Sequence, residues 1–158
     1  MTRAVCSGSF DPVTNGHLDI FMRASKMFDE LIICVFNNVS KKAFLPVDER
    51  VALIAEAMQA VPNVRVDSFS GLIIDYMHEH DASVIVRGVR SVKDLEYEQN
   101  EAYAIRYLEP SIDTVFLLTR PEYSFVSSSG IRELLYFGAP ITGLVPECVE
   151  QAIRKLKC

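Results

Sequence analysis

Apolar residues along this chain alternate between short continuous runs and longer stretches with helical spacing. The short runs lie at 3–6, 31–36, 64–68, 84–87 and 113–118, and each of them contains β-branched residues. Such runs are typical of strands that are buried on both faces of a parallel sheet. The pattern therefore predicts five strands.

Helical spacing fills the segments between these runs. The first predicted helix lies at 18–28 and has a face made of Leu18, Phe21, Met22 and Phe28. The second has a face made of Val51, Ile54, Ala55, Met58 and Val61, and further helices are predicted at 72–80, 95–108, 131–137 and 149–156. Alternating strands and helices predict an α/β fold, an open, doubly wound, parallel five-stranded sheet with helices on both faces. Ligands of such folds bind beyond the carboxyl ends of the strands.

Length and composition fit a single globular domain over residues 1–158. Apolar residues make up 49% of the chain and charged residues 23%, which is ordinary usage for a folded domain. The longest apolar run is far shorter than the ~20 residues of a membrane span, and no segment has the pattern of a signal peptide. We therefore expect a protein without a membrane partner. The net charge of −5 argues against a general nucleic-acid partner.

The cysteines and histidines predict no metal site. The chain has four cysteines, Cys6, Cys34, Cys148 and Cys158. They form no C-x-x-C pair, and no histidine lies at zinc-ligand spacing from them. His78 and His80 are two residues apart on a predicted helix, so they do not share a face. We expect reduced thiols and a cytoplasmic location.

The turn after the first predicted strand, at 7–17, reads SGSFDPVTNGH. Gly8 and Gly16 would let the backbone come close to a ligand. Asn15 or Thr14 can cap the helix that starts near Gly16, which places His17 in the first helical turn. Free N–H groups and the helix dipole favour an anion there, and a histidine can donate a hydrogen bond to a phosphate oxygen. Because a strand precedes the turn and a helix follows it, we favour an anion site over a plain glycine-rich turn.

The fourth predicted strand ends in two arginines. Arg87 ends the strand, Gly88 opens the turn and Arg90 follows. Arginine suits phosphate because its planar guanidinium forms two parallel hydrogen bonds. The alternative for Arg87 is a structural salt bridge, either to Asp94 or to Glu98.

The loops after the second and fifth predicted strands also carry groups that suit an anion. Lys41 and Lys42 follow the second strand, although two adjacent lysines alone are more typical of a solvated loop. After the fifth strand, three consecutive serines at 127–129 precede an apolar helix that carries Arg132. One serine suffices as an N-cap. Three serines with an arginine indicate a second anion-binding helix terminus rather than a redundant serine loop.

These groups meet at one edge of the predicted sheet because its strands are parallel. The chain offers no Ser-His-Asp set and no cysteine beside a base, so no covalent intermediate is predicted. Anion handling without a covalent intermediate points to phosphoryl or nucleotidyl transfer. In such reactions a protein aligns two phosphates and offsets the charge that grows in the transition state.

Two stretches resemble the signatures of nucleotidyltransferases. SGSFDPVTNGH resembles the one in which T-x-G-H or H-x-G-H opens the first helix, and VSSSGIR resembles I-S-S-[ST]-x-x-[RK]. Three further stretches, SKKAFLPVDERVALI, RGVRSVKDLEYE and LVPECVEQAI, resemble phosphopantetheine adenylyltransferases of the bacterial type. The likeness covers nearly the whole chain. The chain is identified as a member of that family, and the resemblance implies a Rossmann-like nucleotidyltransferase fold.

The resemblance implies a reaction in coenzyme A synthesis. The phosphate of 4'-phosphopantetheine attacks the α-phosphorus of ATP in line, pyrophosphate leaves, and dephospho-coenzyme A forms. Mg²⁺ accompanies the ATP as the implied cofactor. The resemblance also implies a homohexamer, and it suggests feedback binding of coenzyme A.

Site residues also follow from the resemblance. The implied catalytic residues are His17, Lys41 and Arg90. The implied phosphopantetheine-binding residues are Ser9, Lys41, Ile73 and Arg87. The implied ATP-binding residues are Ser9, Phe10, His17, Gly88, Val89, Arg90, Glu98, Tyr123, Ser124, Phe125, Val126, Ser127, Ser128 and Ser129. In the family the histidine acts at the α-phosphate, and the residue at Ser9 lies between the two substrates.

The chain departs from the usual family sequence at two places, and three alternative functions stay open. The family usually has Tyr-Pro where this chain has Cys6-Ser7, which frees the backbone at Ser7. Tyr123 stands where some members have tryptophan. The alternatives are a cytidylyltransferase, a nicotinamide mononucleotide adenylyltransferase, and a non-catalytic nucleotide-binding module. RGVRSVKDLEYE favours phosphopantetheine as the acceptor, and a non-catalytic module should lack at least one of the cations named above.

Overall fold

The structure, a computed structural model, describes residues 1–157 and confirms the five predicted strands. They are β1 (Arg3–Gly8), β2 (Glu30–Phe36), β3 (Val64–Phe69), β4 (Val84–Val89) and β5 (Asp113–Leu118). Four of these strands extend one or two residues beyond the predicted run, and β5 matches its prediction. Cys158, predicted to be a reduced thiol, lies outside the described residues.

Six α-helices and a short 3₁₀ turn (Pro121–Tyr123) alternate with the strands. The helices are α1 (Asn15–Ser25), α2 (Val47–Ala57), α3 (Ile73–Glu79), α4 (Val92–Leu108), α5 (Ser128–Tyr136) and α6 (Glu147–Leu156). Five of them begin two to four residues before the predicted apolar face, because polar first turns follow the N-cap positions. Phe28 and Val61, which the pattern placed on helix faces, follow the ends of α1 and α2. Within residues 1–157, no helix has the length and apolar content needed to cross a bilayer.

The sheet has the order β3-β2-β1-β4-β5, and all its strands are parallel. β1 lies at the centre because it pairs with both β2 and β4. From β1 the chain adds β2 and β3 on one side of the sheet and then crosses to the other side of β1, where it adds β4 and β5. The strand order therefore switches between β1 and β4. In open α/β sheets such a switch point forms a crevice outside the carboxyl ends of the strands, where ligands bind. The predicted fold class is confirmed, and the crevice is located beside β1.

Alternate strand residues face two separate apolar layers. On one face, Ile33 of β2 belongs to a cluster with residues of α1, α2, α5 and α6. On the other face, its neighbour Ile32 belongs to a cluster with residues of α3 and α4. This arrangement confirms the prediction of helices on both faces and explains why the strand runs are continuously apolar.

Two of the predicted helix faces are wrong in part. In α1, Ile20 is buried, whereas Met22 is 41% exposed. In α2, Ala55 is exposed, and the buried residues are Arg50, Leu53 and Ile54. The helix begins earlier than the apolar pattern suggested, so the face that meets the sheet includes a charged residue. Hydrophobic spacing does not predict this, because charged side chains are rarely buried.

Candidate functional site

A cavity of about 280 Å³, here called the central cavity, opens at the switch point between β1 and β4. Ten predicted site residues line it: Ser9, Phe10, His17, Arg87, Gly88, Arg90, Glu98, Val126, Ser127 and Ser128. The amino ends of α1 and α5 also line this cavity. Unpaired N–H groups and the helix dipole make such ends favourable for an anion.

His17 is held by a reciprocal cap at the start of α1. Thr14 is the N-cap, and its hydroxyl oxygen accepts a hydrogen bond from the His17 N–H at 3.3 Å. In return the Thr14 N–H donates to His17 Nδ1 at 3.0 Å. Because Nδ1 accepts this bond, a neutral imidazole carries its proton on Nε2. His17 therefore offers an Nε2–H donor for a ligand in the central cavity.

The ring of Phe10 supports the imidazole from the side. Its centroid lies 5.0 Å from that of His17 and 5.2 Å from that of Phe21, both in edge-on geometry. Phe10 adopts a left-handed backbone conformation, with φ of 46°. A Cβ atom at Gly8 would lie 2.9 Å from Phe10 Cζ. Gly8 therefore makes room for Phe10; it also lines the central cavity, and its close approach to a ligand stays a prediction.

Burial keeps His17 neutral at physiological pH. It lowers the pKa of the imidazole from 6.5 to about 4, and the positive charge of Arg90 acts in the same direction. A neutral ring whose tautomer is set by the Thr14 N–H is a hydrogen-bond donor rather than a cation.

We expect the His17 ring resonances to titrate with a midpoint near pH 4, as measured by NMR of the ring C–H groups, with His17→Asn used for assignment. The unfolded chain takes up this proton near pH 6.5, and the folded chain does so only near pH 4. The contribution of this group to the free energy of unfolding therefore falls as the pH falls between these values. A midpoint near 6.5 would contradict the effect of burial on this ring, and a midpoint above physiological pH would contradict a neutral donor.

Arg87 is engaged by protein groups on two sides. Its Nη1 donates to the Ser7 carbonyl at 3.0 Å, and its guanidinium pairs with Glu98 at 3.5 Å and with Glu101 at 3.2 Å. The salt-bridge alternative is therefore confirmed for Glu98. Binding of an anion by Arg87 stays a prediction, and it requires a phosphate to compete with these carboxylates.

Glu98 presents a buried oxygen to the same cavity. Among the described residues its Oε2 has no hydrogen-bond partner. Burial raises the pKa of Glu98, and the nearby Arg87 opposes this shift. The ion pair with Arg87 Nε at 3.5 Å offsets part of the charge of this oxygen but leaves it without a hydrogen bond, so a donor group on a ligand would be favoured here.

The prediction that Arg87 ends its strand is wrong. β4 continues through Gly88 to Val89, because both residues pair with β5. A Cβ atom at Gly88 would lie 3.0 Å from Ile20 Cγ1, so the glycine permits close packing of α1 on the strand. The turn begins at Arg90 instead.

Arg90 joins two walls of the central cavity. Its Nε donates to Asp94 Oδ2 at 3.1 Å, and its Nη1 donates to the Val126 carbonyl at 3.3 Å. Asp94 therefore forms its salt bridge with Arg90. The alternative of a salt bridge between Asp94 and Arg87 is wrong. These contacts hold the Arg90 side chain between the first turn of α4 and the approach to α5.

The serines before α5 have individual partners. Ser127 caps the helix, because its Oγ accepts from the Gly130 N–H at 3.0 Å. Ser128 Oγ donates to the Pro12 carbonyl at 2.8 Å, which ties α5 to the loop after β1. The Oγ atoms of Ser127 and Ser129 lie 3.3 Å apart. A redundant serine loop is therefore excluded, and anion binding at this terminus stays a prediction.

Cys6 lines the central cavity but is not suited to nucleophilic attack. Its thiol is buried, and burial raises its pKa to about 12, with Arg87 opposing the shift and Glu98 adding to it. A thiol that stays protonated is a poor nucleophile. The chemistry of this site therefore does not run through Cys6.

A second cavity, of about 620 Å³, adjoins the first one and is here called the lysine cavity. Four cationic side chains line it, namely Lys41, Lys42, Arg50 and Arg132. Asp11 is the acidic residue among its lining. Ser9 lines both cavities, so the two meet at this residue. Several cations around one cleft attract an anion even when the net charge of the chain is negative.

Some predicted site residues line neither of these two cavities. They are Ile73, Val89, Tyr123, Ser124, Phe125 and Ser129. Ile73 packs against the apolar layer of α3 and α4, Val89 is buried, and Phe125 is 70% exposed. Tyr123 packs beside Gly16, where an added Cβ would lie 3.4 Å from Tyr123 Cβ. Ligand contacts by these six residues stay predictions.

Sequence reasoning missed the roles of Arg50 and Asp11. The exposed fractions of these residues are 3% and 7%. The signal for Arg50 was its position four residues before Ile54, which places both on one helix face. Asp11 accepts hydrogen bonds through its carboxylate from the N–H groups of Phe44 and Leu45. No local pattern indicates this contact, because it joins segments more than thirty residues apart in the chain.

Comparison with known proteins agrees with this geometry. A family model described as cytidylyltransferase-like matches residues 5–134. A phosphopantetheine adenylyltransferase of Clostridium kluyveri is 52% identical over 147 residues, which cover 93% of this chain and 90% of the relative. A protein of the same name from Shouchella clausii is 47% identical over 156 residues, which cover 99% of this chain and 98% of the relative. The chain belongs to the phosphopantetheine adenylyltransferase family of cytidylyltransferase-like nucleotidyltransferases.

Proposed function

We propose that this enzyme reversibly transfers the adenylyl group of ATP to 4'-phosphopantetheine, giving dephospho-coenzyme A and pyrophosphate. Three relatives that are 47–52% identical to this chain are named phosphopantetheine adenylyltransferase. The observation that carries the proposal is that two cavities suited to anions meet at Ser9. A transfer between two phosphates needs two such sites side by side.

In this proposal ATP occupies the central cavity. The amino ends of α1 and α5 and the Arg90 side chain line it and would face the triphosphate. Glu98 Oε2, which accepts no hydrogen bond among the described residues and lies 3.5 Å from Arg87 Nε, offers an acceptor to a donor group of the nucleotide. The acceptor phosphate enters the lysine cavity, where Lys41 and its neighbouring cations offset its charge.

The transfer needs alignment and charge stabilisation rather than a protein nucleophile. An oxygen of the acceptor phosphate forms a bond to the α-phosphorus as the bond to the β-phosphate oxygen breaks, and pyrophosphate leaves with the electron pair. The acceptor phosphate is already anionic, so no base has to remove a proton. The His17 Nε2–H donates to an α-phosphate oxygen, where charge grows in the transition state.

Mg²⁺ is proposed as a companion of ATP rather than as a metal held by the protein. Within residues 1–157, no group of three or more His, Cys, Asp or Glu side chains could hold a metal ion. Mg²⁺ commonly keeps several waters and binds through substrate phosphates, which is compatible with this cavity.

Assembly, feedback and location are also proposals drawn from the family resemblance and the composition. Exposed apolar side chains on α4, including Tyr97, Tyr103 and Tyr107, support self-association. The number of six subunits comes from the family resemblance alone. Feedback by coenzyme A is chemically reasonable, because coenzyme A contains both halves of the proposed product. A cytoplasmic enzyme of one domain over 1–158, without a nucleic-acid partner, stays a prediction.

The first test is release of pyrophosphate from ATP and Mg²⁺, with and without 4'-phosphopantetheine. We expect release that depends on this acceptor, together with formation of dephospho-coenzyme A. Nicotinamide mononucleotide with ATP, and phosphocholine with CTP, serve as rival substrate pairs. Release with a rival pair alone would keep nucleotidyl transfer and discard phosphopantetheine. No release with any pair would favour a non-catalytic nucleotide-binding module.

A further inference from the structure

Arg50 is a buried cation whose hydrogen bonds go to backbone carbonyls. It is 3% exposed and forms no ion pair in the described part of the chain. Its Nε donates to Leu45 O at 3.0 Å, and its Nη1 donates to Ser9 O at 2.8 Å and to Phe36 O at 3.3 Å. Burying a charge without a counter-ion is costly, so its hydrogen bonds to the three carbonyls must first offset this cost before they add any stability. Stability alone therefore does not account for an arginine here.

Two of the three carbonyls belong to residues that line the lysine cavity, Ser9 and Phe36. Phe36 is the last residue of β2, and Leu45 directly precedes the N-cap of α2. The loop between them carries Lys41, so both ends of this loop are attached to one guanidinium. The third carbonyl belongs to Ser9, which lines both cavities. Arg50 thus links the Lys41 loop directly to the residue at which the cavities meet.

Asp11, in the loop after β1, also binds the end of the Lys41 loop. Its Oδ2 accepts from the Phe44 N–H at 2.7 Å, and its Oδ1 accepts from the Leu45 N–H at 2.8 Å. A cation in α2 and a carboxylate in the loop after β1 therefore hold the end of the Lys41 loop against Ser9. Two buried charged side chains, Arg50 and Asp11, thus hold the contact between the Lys41 loop and the loop after β1. This indicates that the geometry of the contact is functionally constrained.

We infer that Arg50 is a positioning residue that fixes the separation between Ser9 and the Lys41 loop and so aligns the acceptor phosphate with ATP. The inference rests on the proposed function, in which the acceptor phosphate lies between Lys41 and Ser9. In-line transfer depends on near-attack geometry, and a displacement of about 1 Å can lower a rate by two orders of magnitude. Arg50 also lines the lysine cavity, so its charge adds to the local positive potential.

Arg50→Lys separates the geometric role from the charge. Lysine keeps the positive charge but replaces the planar, multi-donor guanidinium by a single ammonium group. The three carbonyls therefore lose their common partner while the potential of the cavity is retained. We expect kcat to fall and the KM for 4'-phosphopantetheine to rise, each by about tenfold, with the KM for ATP changed less than about twofold.

Arg3 provides a matched control at the amino ends of the strands, opposite to the end where the two cavities lie. It also joins separate segments, through bonds to the Glu30 carboxylate and the His80 carbonyl, but it lies at the amino end of β1. We expect Arg3→Lys to lower Tm and to leave the ratio of the two KM values unchanged. If Arg50→Lys gave the same result, its role would be structural and the inference would be overturned.

Hydrogen exchange measured by mass spectrometry gives a readout that needs no substrate. Peptides covering 36–45 and 8–12 should exchange faster in Arg50→Lys than in the unsubstituted enzyme, whereas Arg3→Lys should leave them unchanged. Unchanged exchange in Arg50→Lys would overturn the positioning role whatever the activity. Faster exchange in an enzyme that does not use 4'-phosphopantetheine would instead overturn the proposed function and support Arg50 as the anchor.

Discussion

Replacement of His17 by alanine is expected to lower kcat by ~10²–10³-fold while the affinity for ATP changes little. The physical reason is the neutral Nε2–H, which the Thr14 N–H sets by donating to Nδ1. Such a donor interacts most strongly where charge grows, at the α-phosphate oxygens of the transition state. Steady-state kinetics of pyrophosphate release, together with calorimetric titration of ATP, measure the two quantities separately.

Because His17 also takes part in the N-cap of α1, two further substitutions are needed to separate capping from catalysis. His17→Asn can present an amide oxygen near the position of Nδ1 and so keep the bond from Thr14, but it has no donor at the position of Nε2. His17→Gln reaches further and can place an amide N–H there. We expect the asparagine variant to be as slow as the alanine variant, and the glutamine variant to recover part of the rate.

The outcomes distinguish catalysis from capping. A nearly normal rate in His17→Asn would show that the ring serves mainly to cap α1, and it would contradict the proposed donor. Equal losses of ATP affinity and of kcat in His17→Ala would also contradict it, because the contact would then be made in the ground state. His78→Ala is the control, since His78 is exposed and pairs with Glu109.

The strands were predictable because their burial is nearly complete. Ile32 and Ile33 face different apolar layers, so both faces of β2 require apolar residues and the run is unbroken. The helix faces were harder, because each helix buries one stripe. In α2 that stripe includes Arg50, whose guanidinium binds the carbonyls of Leu45, Phe36 and the distant Ser9. In α1 the apolar spacing did not indicate that Ile20 is buried and that Met22 is exposed.

The candidate site was predictable where a residue follows a parallel strand or opens a helix. His17 met both conditions, and the residue types narrowed the N-cap of its helix to Asn15 or Thr14, of which the structure shows Thr14. The partner of Arg87 could only be narrowed to Asp94 or Glu98, because these two carboxylates lie one helical turn apart on the same face of α4. The supporting contacts of Asp11 and Ser128 are bonds to distant backbone groups, and sequence spacing carries no information about such contacts.

Replacement of Lys41 by alanine is expected to raise the KM for 4'-phosphopantetheine by roughly 10–100-fold, with a much smaller change in the KM for ATP. Lys41 lines the lysine cavity and not the central cavity. In the proposed function only the acceptor phosphate enters the lysine cavity. A lost ammonium group should therefore weaken one substrate selectively, and steady-state kinetics with each substrate varied in turn measure this.

Two other lysines make the test specific. Lys26→Ala removes an exposed lysine at the C-cap of α1, and it should change neither KM. Lys42→Ala removes the adjacent cation of the same cavity and should have the smaller effect, because the family resemblance assigns the contact to the first lysine. A larger loss in Lys42→Ala would transfer the phosphate contact to Lys42. Equal losses for both substrates in Lys41→Ala would place the lysine at the triphosphate, and the assignment of the two cavities would then be wrong.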